Sequence, residues 1–305
     1  MAGRDIISRL KKGDRFLLDG GVGSELQRRG LNLSKGVRSE TVTGPWSATA
    51  MGDAPEVVRA VHEDYLRVGA DIVTTNSFWT NRPMLGMVGL EDKMEAYTTL
   101  SVELARDARD RFNPDAYVAG AMCPPRSGDV YKALAEQAKV LTAAGVDLLL
   151  LELVGSIEEA VASVAAASAT GLPVLLGIYV TDRATIQRGT HEDTGETIEA
   201  LVEALQGRRV DAILPMCVPP DYIATALPRL RAVFDGPIGA YANIGYKNTR
   251  RKVAYPTTQF LEIQVEHSPG DYALCVQDWL DMGAQIVGGC CASTPEHIAA
   301  LRPMV

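Results

Sequence analysis

Gly145-Val146-Asp147-Leu148-Leu149-Leu150-Leu151-Glu152 holds a glycine, an unbroken apolar run and an acid at its end. The glycine reads as the stop of a preceding helix, because it enters the left-handed region without steric cost. The leucine run suits a parallel strand buried on both faces. Gly69-Ala70-Asp71 and Gly283-Ala284-Gln285 likewise stand directly before apolar runs.

Outward from this stretch the chain reads as eight strands: Phe16–Asp19, Asp71–Thr75, Tyr117–Met122, Leu148–Glu152, Val174–Tyr179, Ala212–Met216, Ile238–Ala242 and Gln285–Gly288. A helical pattern follows each one: Pro55–Val68, Glu91–Arg111, Asp129–Ala144, Ile157–Thr170, Thr194–Gln206, Asp221–Val233, Pro269–Met282 and Pro295–Leu301. Gly69, Gly145, Gly171, Gly207 and Gly283 mark helix ends. Eight strand–helix units predict an α/β protein, a single-domain (β/α)8 TIM barrel over residues 1–305. An open doubly wound sheet fits less well, since no Gly-x-Gly-x-x-Gly follows the first strand.

Composition narrows the function. The chain has 305 residues and a net charge of 30 − 38 = −8, which argues against a nucleic-acid or anionic-membrane surface. Five cysteines do not make a disulfide scaffold, and an odd count fits reduced thiols in the cytoplasm. The first twelve residues mix charges and lack an apolar signal core. No run of 18 apolar residues is present to span a membrane, so a cytoplasmic protein is expected.

In a barrel, active sites lie at the C-terminal ends of the strands. Asp19, Thr75-Asn76, Cys123, Glu152, Tyr179, Cys217, Asn243 and Cys290-Cys291 all fall there. The long connections Gly20–Ala54 and Gly245–Ser268 belong to the same face. Cys217, Cys290 and Cys291 together make a candidate zinc site. Three thiolates leave the fourth tetrahedral position for water or substrate, as in catalytic sites, and a substrate thiol bound there is deprotonated. A disulfide within the adjacent pair does not fit, because neighbouring Cα atoms lie about 3.8 Å apart. The alternative is two small buried apolar side chains, and the third cysteine at a matching strand end favours metal. Cys123 reads as a rim thiol without a ligand role.

Asp19 and Glu152 suit a ligand ammonium group or, equally, helix capping and a structural ion pair. Gly20, Gly21 and Gly23 allow close backbone approach to a ligand or simply a tight turn. His62 and His297 read as surface or packing residues, and His191 is a candidate for the mouth. No Ser-His-Asp or paired-carboxylate arrangement stands out.

These segments resemble the homocysteine S-methyltransferase family, which includes betaine-dependent and S-methylmethionine-dependent enzymes. Leu18-Asp19-Gly20-Gly21-Val22-Gly23-Ser24-Glu25-Leu26 is similar to the family's opening Asp-Gly-Gly-Met-Gly-Thr-Glu-Leu. Gly44-Pro45-Trp46, the segment from Pro55 through His62 to Phe78, Gly145 through Glu152, and Gly288-Gly289-Cys290-Cys291 through Ile298 continue the resemblance. It implies zinc (Zn2+) held by Cys217, Cys290 and Cys291, and homocysteine as the thiol that takes a methyl group to give methionine. It also implies acceptor contacts from Asp19 and Glu152. Gly20, Gly21, Thr75, Asn76 and Asn243 complete the expected substrate site. The partners are then small molecules, a thiol acceptor and a methyl donor, with no nucleic acid and no membrane. Departures from the family are Met216 in place of Asn, the stretch Gly120-Ala121-Met122-Cys123-Pro124-Pro125 after the third strand, and Ala292 in place of Gly. They leave open a degradative demethylase with another donor and acceptor, or a non-catalytic barrel that binds a metal or an amino acid.

Overall fold

The structure, a computed structural model, describes residues 5–33, 44–188, 192–245, 263 and 265–305. Strands β1 (Phe16–Leu17), β2 (Ile72–Thr74), β3 (Tyr117–Met122), β4 (Leu148–Val154), β5 (Val174–Ile178), β8 (Ala212–Pro215), β9 (Ile238–Ala242) and β10 (Ala284–Gly289) pair in parallel in the order β1-β10-β9-β8-β5-β4-β3-β2. The two ends of that order meet through a Leu18–Ile72 bridge. Asp19 N donates to Ile72 O at 3.0 Å and Asp71 N to Leu17 O at 2.7 Å, so the sheet closes on itself as a barrel. Each strand expected from the sequence takes its place in it.

Helices α4 (Pro55–Arg67), α6 (Met94–Phe112), α7 (Val130–Ala144), α8 (Ile157–Ser168), α9 (Ile198–Ala204), α10 (Pro220–Val233), α11 (Pro269–Asp281) and α12 (Pro295–Leu301) form the outer ring. Gly69, Gly145 and Gly283 take φ of +99°, +92° and +93°, the left-handed stop for which a glycine is suited. Four further helices occur among the described residues: α1 (Ile6–Lys11), α2 (Val22–Arg28), α3 (Ala50–Asp53) and α5 (Arg82–Gly86). Helices α2 and α3 lie in the first long connection, whose residues 34–43 are outside the described residues, as is most of the second.

Helix bounds differ from the sequence reading by up to three residues, and by more at the start of α9. The segment taken as helix from Thr194 begins as the second strand of an antiparallel hairpin, β6 (Thr185–Arg188) and β7 (Glu192–Thr197), and the helix starts only at Ile198. Gly195 has φ +73°, and the Thr197 hydroxyl accepts the Ala200 amide at 3.1 Å. Threonine favours strands and caps over helix interiors, and glycine weakens a helix, so local chemistry delays the start.

Asp71 and Asp147 of the Gly-x-Asp turns, and Asp211 at the matching place before its strand, tie strands together at the bottom of the barrel. The Asp71 carboxylate accepts Leu17 N, Asp147 accepts Val118 N and Asp211 accepts Val174 N, each at 2.8 Å. The aspartate amides donate back to the carbonyls of those same three residues. Each carboxylate also meets an arginine, Arg302, Arg109 and Arg209 in turn. Gln285 stands at the corresponding place in the last unit and instead donates to Leu10 O at 2.6 Å, pinning α1.

Apolar side chains divide into two layers. Between sheet and helices lie Leu17, Val73, Leu149, Leu151, Ile213 and their neighbours. Inside the barrel Ile6 and Leu10 of α1 plug the bottom, and Phe16, Leu150, Leu175 and Leu214 fill the interior up to Met216 and Tyr241. No helix among the described residues is long and apolar enough to cross a membrane.

His62 and His297 are packing residues, both buried, and not surface ones. His297 is hydrogen-bonded to Thr294 and to the His267 carbonyl. Neither ring nitrogen of His62 has a partner, and burial pushes its pKa down from 6.5 to about 4. Below pH 6.5 the unfolded chain takes up a proton that the folded chain refuses, so stability present above that pH is lost as pH falls towards 4. At about 1.4 kcal/mol per pH unit the loss reaches about 3 kcal/mol. Urea unfolding at pH 7 and pH 4.5 should therefore show a smaller acid loss in His62→Leu than in wild type. Equal losses in both proteins would show that this histidine is not protonated on unfolding.

Candidate active site and metal centre

A cavity of about 440 Å³ opens at the C-terminal rim of the barrel. Its thiol corner is built around β9. Cys217 follows β8 and donates its amide to Tyr241 O at 2.9 Å, while Cys290 follows β10 and donates its own to Ala242 O, also at 2.9 Å. Adjacent carbonyls of one strand thus anchor both cysteine-bearing loops. The sulfurs of Cys217, Cys290 and Cys291 all lie within 4.8 Å of one another, and those of Cys217 and Cys291 are 3.6 Å apart. Tetrahedral bonds of about 2.3 Å to zinc would separate two sulfurs by about 3.8 Å, so the triad fits such an ion. Hydrogen bonds from Cys217 and Cys290 hold the Cys291 thiol well below the usual range, and Cys290 is pushed up by its bonds to Cys217 and Cys291 and by burial.

Helix α2 holds the cysteine pair from behind. Ala292, at φ +68°, donates its amide to Ser24 Oγ at 3.0 Å, and its carbonyl accepts Arg28 Nη2 at 2.5 Å. Ser293 Oγ donates to Cys290 O at 2.7 Å and accepts Gly21 N at 3.0 Å. A Cβ on Gly21 would lie 2.4 Å from Cys290 O, and one on Gly20 would lie 2.6 Å from the Tyr65 hydroxyl. The glycine turn therefore packs against the cysteine loop as well as lining the cavity.

Asp19 and Glu152 both face the cavity. Asp19 is buried and accepts Thr74 N at 2.8 Å and Thr74 Oγ1 at 3.1 Å; burial pushes its carboxyl well up, against those bonds. Glu152 sits on an irregularity of β4, where the register shifts between Leu151 and Val154 and Leu153 takes φ +51°. Its Oε1 accepts the Tyr241 hydroxyl at 3.2 Å, and burial pushes its pKa up to about 8. Both acids are therefore costly to ionise without a cationic partner.

Several expected contacts have other duties. The Thr75 hydroxyl bonds Ser77 Oγ at 2.6 Å and accepts Ala121 N at 3.1 Å, which ties β2 to β3. The Asn76 amide donates to Ser47 O at 2.9 Å, and Asn243 Oδ1 accepts Gly245 N at 3.1 Å. Thr75, Asn76 and Asn243 line the cavity nonetheless. Cys123 is buried against Trp79 and Met84, outside the thiol triad. His191 lies outside the described residues.

The cavity is also lined by Trp46, Phe78 and Trp79, from the connections after β1 and β2. Phe78 and Trp79 have ring centroids 4.8 Å apart, and the Arg126 guanidinium lies 4.8 Å from the Trp79 ring. These aromatics and Tyr241 were not singled out as site residues from sequence. For Tyr241 the signal was present: Ile238, Ala240 and Ala242 face the helices, so the alternation of β9 turns Tyr241 inward.

A family model described as homocysteine S-methyltransferase matches residues 16–305. Homocysteine S-methyltransferase of Escherichia coli strain K12 is 30% identical, over 96% of each chain. Selenocysteine methyltransferase of Astragalus bisulcatus is 28% identical, over 95% of this chain and 92% of that one. Among solved structures, the metallated form of the homocysteine methyltransferase MmuM from Escherichia coli superposes with a TM-score of 0.76 at 27% identity, covering 98% of this chain and 99% of that one.

Metal analysis of the purified protein should give one ion per chain, lost on removal of any one ligand thiol. Cys290→Ser should fall below a tenth of the wild-type content, whereas Cys123→Ala should keep it. Full occupancy in Cys290→Ser, or loss in Cys123→Ala, would mean the ligand set is wrong.

Proposed function

The chain belongs to the homocysteine S-methyltransferase family, and from that premise we propose that it transfers a methyl group from a small onium donor to homocysteine, giving methionine. The observation that carries this reading is the thiol triad opening into the same cavity as Glu152 and Asp19. Cys217, Cys290 and Cys291 would hold zinc, the ion best matched by an all-thiolate set with one open position. When bound, zinc lowers the pKa of a thiol acceptor so that it is present as thiolate at neutral pH.

The protein's own groups then bind and orient. Glu152 and Asp19 are held in apolar surroundings and gain their charged form when the acceptor's ammonium group arrives between them. An onium donor is a cation without N–H or O–H donors at its charged centre, so aromatic faces suit it. Trp46, Phe78 and Trp79 supply such a wall in the cavity that the thiols also line. The acceptor sulfur forms its bond to the methyl carbon as the donor–methyl bond breaks, and the electron pair leaves with the donor. No tuned general base is needed for that displacement; alignment and exclusion of water are what the barrel contributes. All five cysteines are free, which suits a reducing compartment such as the cytoplasm.

The function is tested by following methionine formation from homocysteine with a panel of sulfonium and ammonium donors. A metal-loaded protein inactive with every donor would favour the non-catalytic reading. A charge-assisted hydrogen bond contributes about 1.5–3 kcal/mol, so Glu152→Gln should weaken homocysteine binding roughly tenfold to hundredfold with metal retained. If Glu152→Gln and Asp19→Asn both bind homocysteine as wild type does, the acceptor is held by other groups. On the donor side, Phe78→Leu removes a π face at similar bulk and should raise the donor KM severalfold while leaving the homocysteine KM within twofold, given about 0.5–2 kcal/mol per cation–π contact. An unchanged donor KM would remove Phe78 from the donor wall.

A further inference from the structure

We propose that the Met216 thioether is a positioning residue for acceptor recognition: it fixes the Tyr241 hydroxyl and the Leu153 amide, and through them the Glu152 carboxylate. This rests on the reading that Glu152 receives the acceptor's ammonium group.

Met216 is buried at the floor of the cavity, between the end of β8 and Cys217. Its sulfur does more than fill space. It accepts the Tyr241 hydroxyl at 3.0 Å and the Leu153 amide at 3.2 Å. Leu153 is the residue after Glu152, at the register shift of β4, in a left-handed conformation that a leucine adopts only when its surroundings hold it there. The sulfur takes up the amide of that residue. Tyr241 has a single hydroxyl proton and two acceptors in reach, Met216 Sδ and Glu152 Oε1 at 3.2 Å. A thioether is a weak acceptor and a carboxylate a strong one. The sulfur therefore restrains the hydroxyl without removing it from the carboxylate, and leaves Glu152 capacity for an incoming ammonium group.

Space keeps the arrangement in place. A Cβ on Gly177 of β5 would lie 2.7 Å from the Met216 sulfur and 2.8 Å from the Tyr241 hydroxyl, so both atoms press against bare backbone. Four neighbouring strands, β4, β5, β8 and β9, meet at this sulfur. The Cys217 amide is anchored separately on Tyr241 O, so the metal ligands do not depend on the thioether.

Met216→Leu keeps the volume and removes the acceptor, at a modest stability cost. The readout is binding to the metal-loaded protein, by calorimetry, of homocysteine and of 4-mercaptobutanoate, the same thiol acid without the amino group. Wild type should prefer homocysteine. In Met216→Leu the preference should fall about three- to tenfold, with 4-mercaptobutanoate affinity and metal content unchanged. Tyr241→Phe should lower the preference as well, and the double variant should lose less than the sum of the two singles. An undiminished preference in Met216→Leu overturns the proposal, as does strict additivity in the double variant. Absence of any preference in wild type instead removes the role given to Glu152.

Discussion

Three thiols crowded into a buried rim form an arrangement that is favourable only when positive charge joins it. Thiolates at such separations repel strongly in a medium of low dielectric, and protonated thiols gain little from one another. The fold must therefore hold them together before any ion arrives, and β9 does this. Lying between β8 and β10, it offers the carbonyls of Tyr241 and Ala242 to the amides of Cys217 and Cys290, so the rise of one strand sets the span between the ligand loops. Cys217 reaches its place with φ +54°. Behind the pair, Ser24, Arg28 and Ser293 hold the loop with bonds to backbone groups rather than to sulfur, which leaves the sulfurs facing the cavity.

The same strand serves the other half of the site. Tyr241 sends its hydroxyl towards Glu152 while its carbonyl anchors Cys217. One residue thus contacts both the Cys217 loop and the Glu152 carboxylate. The aromatic part of the lining comes from the connections after β1 and β2. Thiols, acids and aromatics thus line one cavity, with β1 next to β10 in the strand order.

Much of the fold could be read from Gly145 through Glu152 and its repeats, because parallel strands buried on both faces leave a plain apolar signature and helix-ending glycines punctuate it. The triad was legible for a different reason: Cys217 and Cys290-Cys291 stand at the ends of strands separated by one strand. What escaped were features decided by tertiary packing. The bonds of the Thr75 hydroxyl to Ser77 and Ala121 within the rim carry no mark in sequence. His62 carries no mark in sequence that it lies wholly buried without a hydrogen bond. The hairpin before Ile198 was hidden because a helix pattern extended backwards over a threonine-rich segment covers it. Tyr241 was visible in the alternation of its strand but carries no motif, since a phenol is as common in a core as in a site.

The aspartates that clasp neighbouring strands at the bottom of the barrel separate two kinds of tolerance. Asp71, Asp147 and Asp211 act one strand length away from the thiols, at the end of the barrel opposite the cavity. Sequence drift at that end is felt as a change in melting behaviour, while drift at the rim is felt as a change in which molecules are accepted. A lineage of such barrels can therefore change what its rim accepts by rewriting its upper loops, without first renegotiating how the chain folds. Stability gathered below becomes the allowance for experiment above.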